Sequence, residues 1–523
     1  MDRPLSPFIW YAVLFAGLVA FLVLCFSIRL ALRWLAAPVT DAMLRYLVYS
    51  TTSVFGLSSW RVSAKDVLFA VLYVSANGVC MGWGVNAAEE LSRRSASMPA
   101  TNLILLLPGA SIAADILYVS LRTYHQTHSI VGLVALIEAS IHAGRELTAR
   151  RWTGDVNTIS GTAIFGCLVL TSVASLPAFR RRAYEIFRMI HFGCSTSICI
   201  LLWLHVPKAN KAGRAQVIVG TCIWAATYAH RNILLVYRNF SVSKPSTRIQ
   251  VESVHNSLQV KVRLPRPWKV RPRQYVYLTM MRPGFFSVLQ RHPFMVAGSE
   301  AQDHDFQLRI QPRAGFTSRL LTRTLGGTRE FSAFVEGPYG HGFDLQNFGT
   351  VVLFASGIGI VGHLAYIQKL VLDYRQSKTK TRDLLVVWHV DNKYQLDLVW
   401  EVMNNVLRRD DLPATAMRRD ARAPYGSGKM DRHLGSSSSS SSESPGLRPA
   451  PHGENASIID VYIYGDYEIL DEAGQAVPYK RAGSRIAEVQ GKPDVRQITS
   501  DVLETGVGRI AICGKLCDFL LLQ

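Results

Sequence analysis

Residues 127–144 read THSIVGLVALIEASIHAG and residues 189–207 read MIHFGCSTSICILLWLHVP, two apolar runs that each carry two histidines. His128 and His142 are 14 residues apart in the first run, and His191 and His205 are 14 apart in the second. Because 14 residues make just under four helical turns, each pair lies on nearly one helix face, about 21 Å apart along the axis. The sequence therefore predicts two helices with histidines at matched heights.

Histidine inside a membrane is costly unless it is paired or bound to something. Neutral imidazole is a good iron ligand, and a porphyrin is apolar enough for the core of a helix bundle. A single apolar run separates the two histidine runs, so the two helices run in the same direction. We therefore predict metal ligation by His128 with His191 for one b-type haem and by His142 with His205 for a second. His125 is a rival to His128, but it breaks the matched spacing.

These two runs belong to a set of seven apolar runs, each close to the roughly 20 residues that cross a bilayer. The seven are Phe8–Ile28, Val67–Ala88, Pro99–Leu121, Thr127–Gly144, Val156–Phe179, Met189–Pro207 and Ala215–Val236. The first is interpreted as an anchor helix, because it is too long for a signal-peptide core. Asp115 and Glu138 lie inside the runs, and proton relay, pairing with basic residues and a structural role all stay open for them.

Composition agrees with a membrane protein of more than one domain. Of 523 residues 49% are hydrophobic and only 18% charged, and the formal net charge is +19. The apolar runs up to about residue 240 are followed by an ordinary mixed globular sequence, and this split excludes a wholly soluble enzyme, a disordered scaffold and a collagen-like fibre. Basic loops beside an anionic lipid bilayer explain the charge more simply than a nucleic-acid partner. Six of the eight cysteines lie in apolar runs, and no Cys-x-x-Cys-His motif occurs, so neither a disulfide framework nor a c-type haem is expected.

The pattern changes after about residue 240. Short alternating strands with Pro and Gly turns, typical of a small β-barrel, occur at 258–264, 275–279 and 306–310. From residue 350 strands and helices alternate, which predicts a parallel sheet. A polar segment at about 411–457, with seven consecutive serines, is predicted to be a disordered insertion.

At this point the sequence resembles the ferric reductase and NADPH oxidase superfamily, closest in type to fungal ferric-chelate reductases. The paired histidines are the most specific feature, and Arg291-His292-Pro293-Phe294 looks like the family's His-Pro-Phe-Thr flavin signature. The resemblance implies that His292 and Phe294 lie against FAD and that Arg291 meets phosphate. Gly315-Phe316-Thr317-Ser318 looks like the family's Gly-x-Thr helix start, where amides and a hydroxyl suit the FAD pyrophosphate.

Two further stretches carry the resemblance into a nucleotide-binding domain. In the turn Ala355-Ser356-Gly357-Ile358-Gly359-Ile360, Gly357 and Gly359 would let backbone amides approach the phosphates of a dinucleotide. Cys513-Gly514 looks like the family's Cys-Gly, which borders the nicotinamide. The sequence departs from the family at Met295, where Thr is usual, at Arg273, where Gly is usual, and at its end, Gln523, beyond which relatives continue.

The resemblance implies a multidomain fold: an all-α transmembrane haem-binding bundle, a flavin-binding β-barrel and a ferredoxin reductase-like α/β nucleotide-binding domain. We expect N-terminal spans and loops at 1–98, the haem-binding core at 99–240, the FAD-binding barrel at 241–346 and the NAD(P)-binding domain with its insertion at 347–523.

The implied activity is that of a multi-pass metalloreductase of the plasma membrane with its C-terminal half in the cytosol. NADPH or NADH would reduce FAD, and electrons would pass through the two haems to an external ferric or cupric chelate. Lys208, Lys211 and Arg214 would attract anionic chelates. A superoxide-producing oxidase, an ion transporter or channel, and an inactive family member remain alternatives. The sequence leaves open the choice between NADPH and NADH and the oligomeric state.

Overall fold

Helices form most of the first half of this computed structural model, and strands most of the second half. The structure describes residues 61–149, 154–254, 256–268, 271–280, 290–299, 305–313, 315–411, 457–470, 475–482 and 485–515, with 51–53 and isolated positions between 13 and 27. The chain forms two compact units, Met1–Arg231 and Asn232–Gln523. The predicted anchor Phe8–Ile28 and almost all of the predicted insertion lie outside the described ranges.

The first unit is built from helices, preceded by two short antiparallel strands, β1 (Thr51–Ser53) and β2 (Arg61–Ser63). The helices are α1 (Ala64–Gly82), α2 (Ala88–Leu106), α3 (Ala110–Ile116), α4 (Leu121–Ala149), α5 (Val156–Ala174), α6 (Pro177–Arg182), α7 (Tyr184–His205) and α8 (Lys211–Asn239). In the described part of the chain, α1, α5 and α7 are long and apolar enough to cross a membrane, and α2 with α3 forms a bent fourth candidate. Helices α4 and α8 have 29 residues each and contain the predicted runs at 127–144 and 215–236, but they are not among these span candidates, so within the described ranges four of the seven predicted runs at most match one.

The predicted span Pro99–Leu121 differs from the structure. Helix α2 ends at Leu106, and the axes of α2 and α3 form a bend of 81°. Pro108 lies in the break, and proline has no amide hydrogen with which to continue a helix. The apolar run is therefore two helices rather than one straight span.

A buried polar cluster joins three helices of the first unit. The hydroxyl of Tyr73 donates to Oδ1 of Asn102 at 2.6 Å, and Nδ2 of Asn102 donates to Glu138 Oε2 at 2.8 Å and to Asn77 Oδ1 at 3.2 Å. Hydrogen bonds between membrane helices hold them in register, because hydrocarbon offers no competing partner. Of the roles left open for Glu138, this arrangement supports the structural one.

The second unit begins with a closed antiparallel barrel in the strand order β3-β4-β7-β6-β5-β8. Its strands are β3 (Arg248–Val254), β4 (Ser257–Arg263), β5 (Tyr275–Met280), β6 (His292–Ser299), β7 (Asp305–Ile310) and β8 (Arg329–Tyr339). Alternate residues fill the interior, as Ile249, Val251 and Leu308 do, and helix α9 (Phe316–Thr324) adds Phe316 and Leu320 to the same core. The barrel predicted from the alternation is confirmed.

A six-stranded sheet follows, in the order β14-β15-β11-β10-β9-β16, parallel except for β14. The strands are β9 (Thr350–Ser356), β10 (Asp383–Val390), β11 (Ile459–Gly465), β14 (Tyr479–Ala482), β15 (Ile486–Gln490) and β16 (Ile510–Lys515), with a small pair β12 (Ile469–Leu470) and β13 (Ala476–Val477). Helices α10 (Val361–Arg375), α11 (Tyr394–Asp411) and α12 (Val495–Thr505) belong to the same domain. Because β10 and β16 flank β9 on opposite sides, the strand order reverses at β9, and in such sheets ligands bind at that reversal.

Candidate functional site

The four predicted histidine ligands face each other across α4 and α7. The ring centroids of His128 and His191 are 5.9 Å apart, and those of His142 and His205 are 6.2 Å apart. A metal–imidazole bond measures about 2.0–2.1 Å, so two such bonds in line separate the facing nitrogens by about 4 Å. Ring centroids at these separations are compatible with one metal ion between each pair. The structure thus brings together the pairs that the matched spacing predicts.

Three of these histidines have a buried ring nitrogen without a hydrogen bond. Nδ1 of His128, His142 and His191 is buried and has no hydrogen-bond partner among the described residues. Buried polar groups normally have a hydrogen-bond partner, so unpartnered imidazole nitrogens in an apolar helix bundle fit a site that binds a prosthetic group. Nδ1 of the rival His125 is also buried without a partner, but the ring beside His125 among the described residues is that of Tyr124, at 6.4 Å, and not a facing histidine. The geometry therefore favours His128.

His205 is held by two residues of α5. Its Nδ1 lies 3.0 Å from the backbone oxygen of Asn157, and since a carbonyl only accepts, Nδ1 carries the hydrogen. In the neutral ring this tautomer leaves the lone pair on Nε2, the nitrogen that can then bind a metal. One helical turn along, a Cβ on Gly161 would lie 2.7 Å from Cε1 of His205. Only glycine at this position leaves room for the ring.

The flavin signature lies at the start of β6. The ring of His292 stacks on Phe316 of α9, with centroids 4.1 Å apart and planes 12° apart, and it lies 6.5 Å from Phe294. Pro293 is paired with Tyr277 of the neighbouring strand. The signature thus joins a barrel strand to the helix start that carries the second flavin motif.

Arg291, expected at phosphate, forms an ion pair with Glu336 of β8. Its guanidinium lies over the ring of Tyr277, 4.4 Å from the centroid, and Tyr339 donates its hydroxyl to the same carboxylate at 2.8 Å. The guanidinium is thus fixed beside the signature and is still partly exposed. Arg291 could therefore contact a cofactor phosphate only while it keeps its ion pair with Glu336.

The second flavin motif forms the start of α9. Gly315 precedes the helix with a φ of +94°, a conformation that side chains disfavour. The hydroxyl of Thr317 accepts from the amide of Arg313 at 2.8 Å, and the amide of Ser318 donates to the Arg313 oxygen at 3.1 Å. The loop is therefore closed on itself, and the Ser318 amide already has a partner.

The glycine-rich turn connects β9 to α10. Gly357 has a φ of +51°, and a Cβ there would lie 2.9 Å from Oδ2 of Asp391, so this position requires glycine. Nε1 of Trp388 donates a hydrogen bond to the backbone oxygen of Gly357 at 2.9 Å, which fixes the position of the turn. Gly359 is buried just before the helix, whose N-terminus favours anions.

Cys513 and Gly514 lie on β16, directly beside β9 and opposite Leu353 and Phe354. They therefore end at the same sheet edge as the glycine-rich turn. Burial raises the pKa of the Cys513 thiol, while Arg273 acts in the opposite direction. Arg273 itself has a φ of +68°, which explains physically why glycine suits this position better.

Three family models match successive parts of the chain. The ferric reductase like transmembrane component matches residues 95–202, an FAD-binding domain matches 241–342, and the ferric reductase NAD binding domain matches 348–516. Over these three segments the chain is similar to the ferric reductase superfamily. It is a multi-pass membrane protein with FAD-binding and NAD(P)H-binding domains.

The relatives are fungal. This ferric reductase homologue is 32% identical over 248 residues to a probable cell surface ferric reductase, kap2, of Aspergillus oryzae, covering 44% of this chain and 32% of that protein. It is 27% identical over 281 residues to the ferric/cupric reductase transmembrane component 2 of Saccharomyces cerevisiae, covering 51% of this chain and 38% of that protein. The chain thus spans between about a third and a half of the length of the curated relatives it matches.

Among solved structures, the ferredoxin NADP+ reductase from Neisseria gonorrhoeae with bound FAD and NADP is similar at 10% identity. The match covers 51% of this chain and 98% of the reductase chain, with a TM-score of 0.26.

Sequence reasoning about this ferric reductase homologue missed Asn157, Gly161 and Asp391. Asn157 and Gly161 stand one helical turn apart on a predicted span, and a polar and a small residue so placed indicate close helix contact. Asp391 directly follows a buried strand, a position that often carries binding residues in parallel sheets. These sequence features point to a functional residue only when the residue that each of them contacts is known.

Proposed function

We propose that the chain is an NAD(P)H-dependent ferric-chelate reductase that moves electrons across a membrane to an external ferric or cupric chelate. The observation that carries the proposal is the two facing histidine pairs, at matched heights on α4 and α7, in a chain that also has flavin and nicotinamide nucleotide domains. When bound, FAD takes up a hydride and releases single electrons, and each haem carries one electron.

The histidine pairs would hold the two haems. His128 with His191, and His142 with His205, present neutral imidazoles on rigid helices, and the apolar surroundings exclude water. Asn157 and Gly161 orient His205 within its pair. Because each helix carries its two histidines about 21 Å apart, the two sites form a path along the bundle.

The second unit would supply the electrons. His292 and Phe294, with the α9 start at Gly315, Thr317 and Ser318, support a flavin, and Arg291 adds positive charge beside it. Gly357 and Gly359 would receive the pyrophosphate of a nicotinamide nucleotide, and Cys513 and Gly514 border the same edge. We place this unit in the cytosol, where that nucleotide is available, and the chain in the plasma membrane.

The acceptor would approach the His142 and His205 end. Lys208 in the loop after His205 and Lys211 at the start of α8 are exposed, and these cations would attract anionic iron chelates. Arg214 follows, with its guanidinium over the ring of Trp203 at 5.7 Å. We propose no nucleic-acid partner.

The test is a cofactor count on the purified full-length chain, followed by anaerobic reduction with NADH and NADPH. We expect two haems and one FAD per chain. His142→Ala and His205→Ala should each abolish reduction of external ferric chelate while flavin reduction continues. Folded protein without a Soret band would contradict the proposal and favour a transporter, and superoxide in place of ferrous product would favour an oxidase.

A further inference from the structure

The carboxyl edge of the sheet shows where the two halves of a nicotinamide nucleotide would lie. The strand order reverses at β9, with β16 on one side and β10 on the other. Cys513 and Gly514 occupy the β16 side, which is where the resemblance puts the nicotinamide. The adenosine half must then extend from the glycine-rich turn towards the end of β10.

Asp391 is the first residue after β10, on that side. Its Oδ2 lies 2.9 Å from the place that a Cβ on Gly357 would occupy, so the carboxylate touches the turn that receives the phosphates. The backbone of Asp391 is fixed, because its amide donates to Oε1 of Gln395 at 3.1 Å. The side chain is nevertheless 60% exposed, and its ion-pair contact with His389 Nδ1 is long at 3.7 Å. Asp391 thus has a fixed backbone position and an exposed carboxylate that a ligand can reach.

In dinucleotide-binding sheets, an acidic residue near the pyrophosphate turn accepts a hydrogen bond from the ribose 2′-hydroxyl, whereas a 2′-phosphate needs a cation there. A phosphate next to Asp391 would meet like charge. We infer that this chain uses NADH in preference to NADPH and that Asp391 selects between them. This inference rests on the proposed function.

The other charged groups at this edge do not offset the carboxylate. Lys393 is the neighbouring cation, but its Nζ lies over the ring of Tyr467, 5.9 Å from the centroid, at the end of β11. Asp466 follows β11 and is exposed, and Glu488 of β15 is paired in register with Lys480. An incoming 2′-phosphate would therefore meet more acidic than basic groups.

The experiment uses the full-length chain with its cofactors, purified in detergent. Equilibrium binding of NAD+ and NADP+ is measured by calorimetry, and flavin reduction by NADH and NADPH is measured by stopped flow. In the unaltered protein NAD+ should bind at least about tenfold tighter than NADP+. Asp391→Asn removes the charge at constant size, and the ratio of the two affinities should fall about tenfold or more. Glu504→Gln is the matched control: Glu504 is exposed near the end of α12, just before the amino end of β16, and its replacement should leave that ratio unchanged.

Each result decides a separate point. Equal or tighter binding of NADP+ by the unaltered protein would overturn the inference and leave the proposed function intact. An unchanged ratio in Asp391→Asn would overturn the role of Asp391, and so would an equal change of ratio in Glu504→Gln. A protein that holds haem and flavin but is reduced by neither nucleotide would overturn the proposed function itself.

Discussion

Replacing Gly161 by alanine tests the haem assignment at a residue that would not itself be a ligand. The added Cβ would lie 2.7 Å from Cε1 and 3.0 Å from Nδ1 of His205, whereas ordinary contacts begin at 3.4 Å. The ring must therefore move by about 0.7 Å, and it cannot do so without disturbing the hydrogen bond from Nδ1 to Asn157. Forcing a methyl group into a packed interior costs about 1–3 kcal/mol.

We expect Gly161→Ala to lose the haem held by His142 and His205 and to keep the other. The haem content should fall from two per chain to one, and the Soret absorbance relative to flavin should halve. The remaining haem reports that the bundle has folded. A pyridine haemochrome assay with a flavin count on the same sample measures both quantities.

Gly166→Ala is the matched control. Gly166 lies on the same helix, its added Cβ would meet no atom of another described element within 4 Å, and alanine favours a helix more than glycine does. This variant should keep two haems and its ferric reduction. Two haems with an unshifted spectrum in Gly161→Ala would refute the placement of His205 as a ligand.

Three further predictions concern the second unit. Arg273→Gly should stabilise it by about 1 kcal/mol, seen as a higher Tm, because glycine relieves the positive φ; a lower Tm would show that the arginine contacts matter more. Because burial raises the pKa of the Cys513 thiol, Cys513 should be alkylated more slowly than a free thiol at pH 8.5, and faster at higher pH. Peptide mass spectrometry measures this rate, and a rate equal to that of a free thiol would contradict the prediction. Asp410→Asn should lower the free energy of unfolding in urea by about 3–5 kcal/mol, because the fully buried carboxylate pairs with Arg375 and Arg485, which are both mostly buried. A decrease below about 1 kcal/mol would mean that the two arginines find other partners.

Periodic features of the sequence predicted the architecture well. Equal histidine spacing on two helices fixes which rings can meet, because the helical repeat is nearly constant. Alternation along the strands predicted the barrel, and the alternation of strands with helices predicted the parallel sheet, for the same reason. The break between α2 and α3 was missed because hydropathy averages over Pro108, whose missing amide hydrogen acts only locally.

Contacts between elements were beyond the sequence. Asn157 and Gly161 matter because α5 packs against α7 at that height, and no local pattern records which residue of α7 lies opposite. Asp391 became informative only when its carboxylate was seen beside Gly357. Arg291 shows the converse: its pattern pointed to phosphate, but Glu336, 45 residues away in the chain, already occupies its guanidinium.

The two histidine pairs are supported by different physical means, which has a consequence for their sensitivity to substitution. His128 and His191 have aromatic neighbours, with Tyr124 at 6.1 Å and Phe187 at 5.5 Å between centroids, whereas His205 is held by a backbone hydrogen bond and a close glycine. Ring packing is non-directional and tolerates small shifts, while a hydrogen bond and a steric limit fix one orientation. A hydrogen bond from Nδ1 also makes Nε2 a stronger donor to a metal. Conservative changes around Tyr124 and Phe187 should therefore be tolerated, and equally small changes on α5 should not.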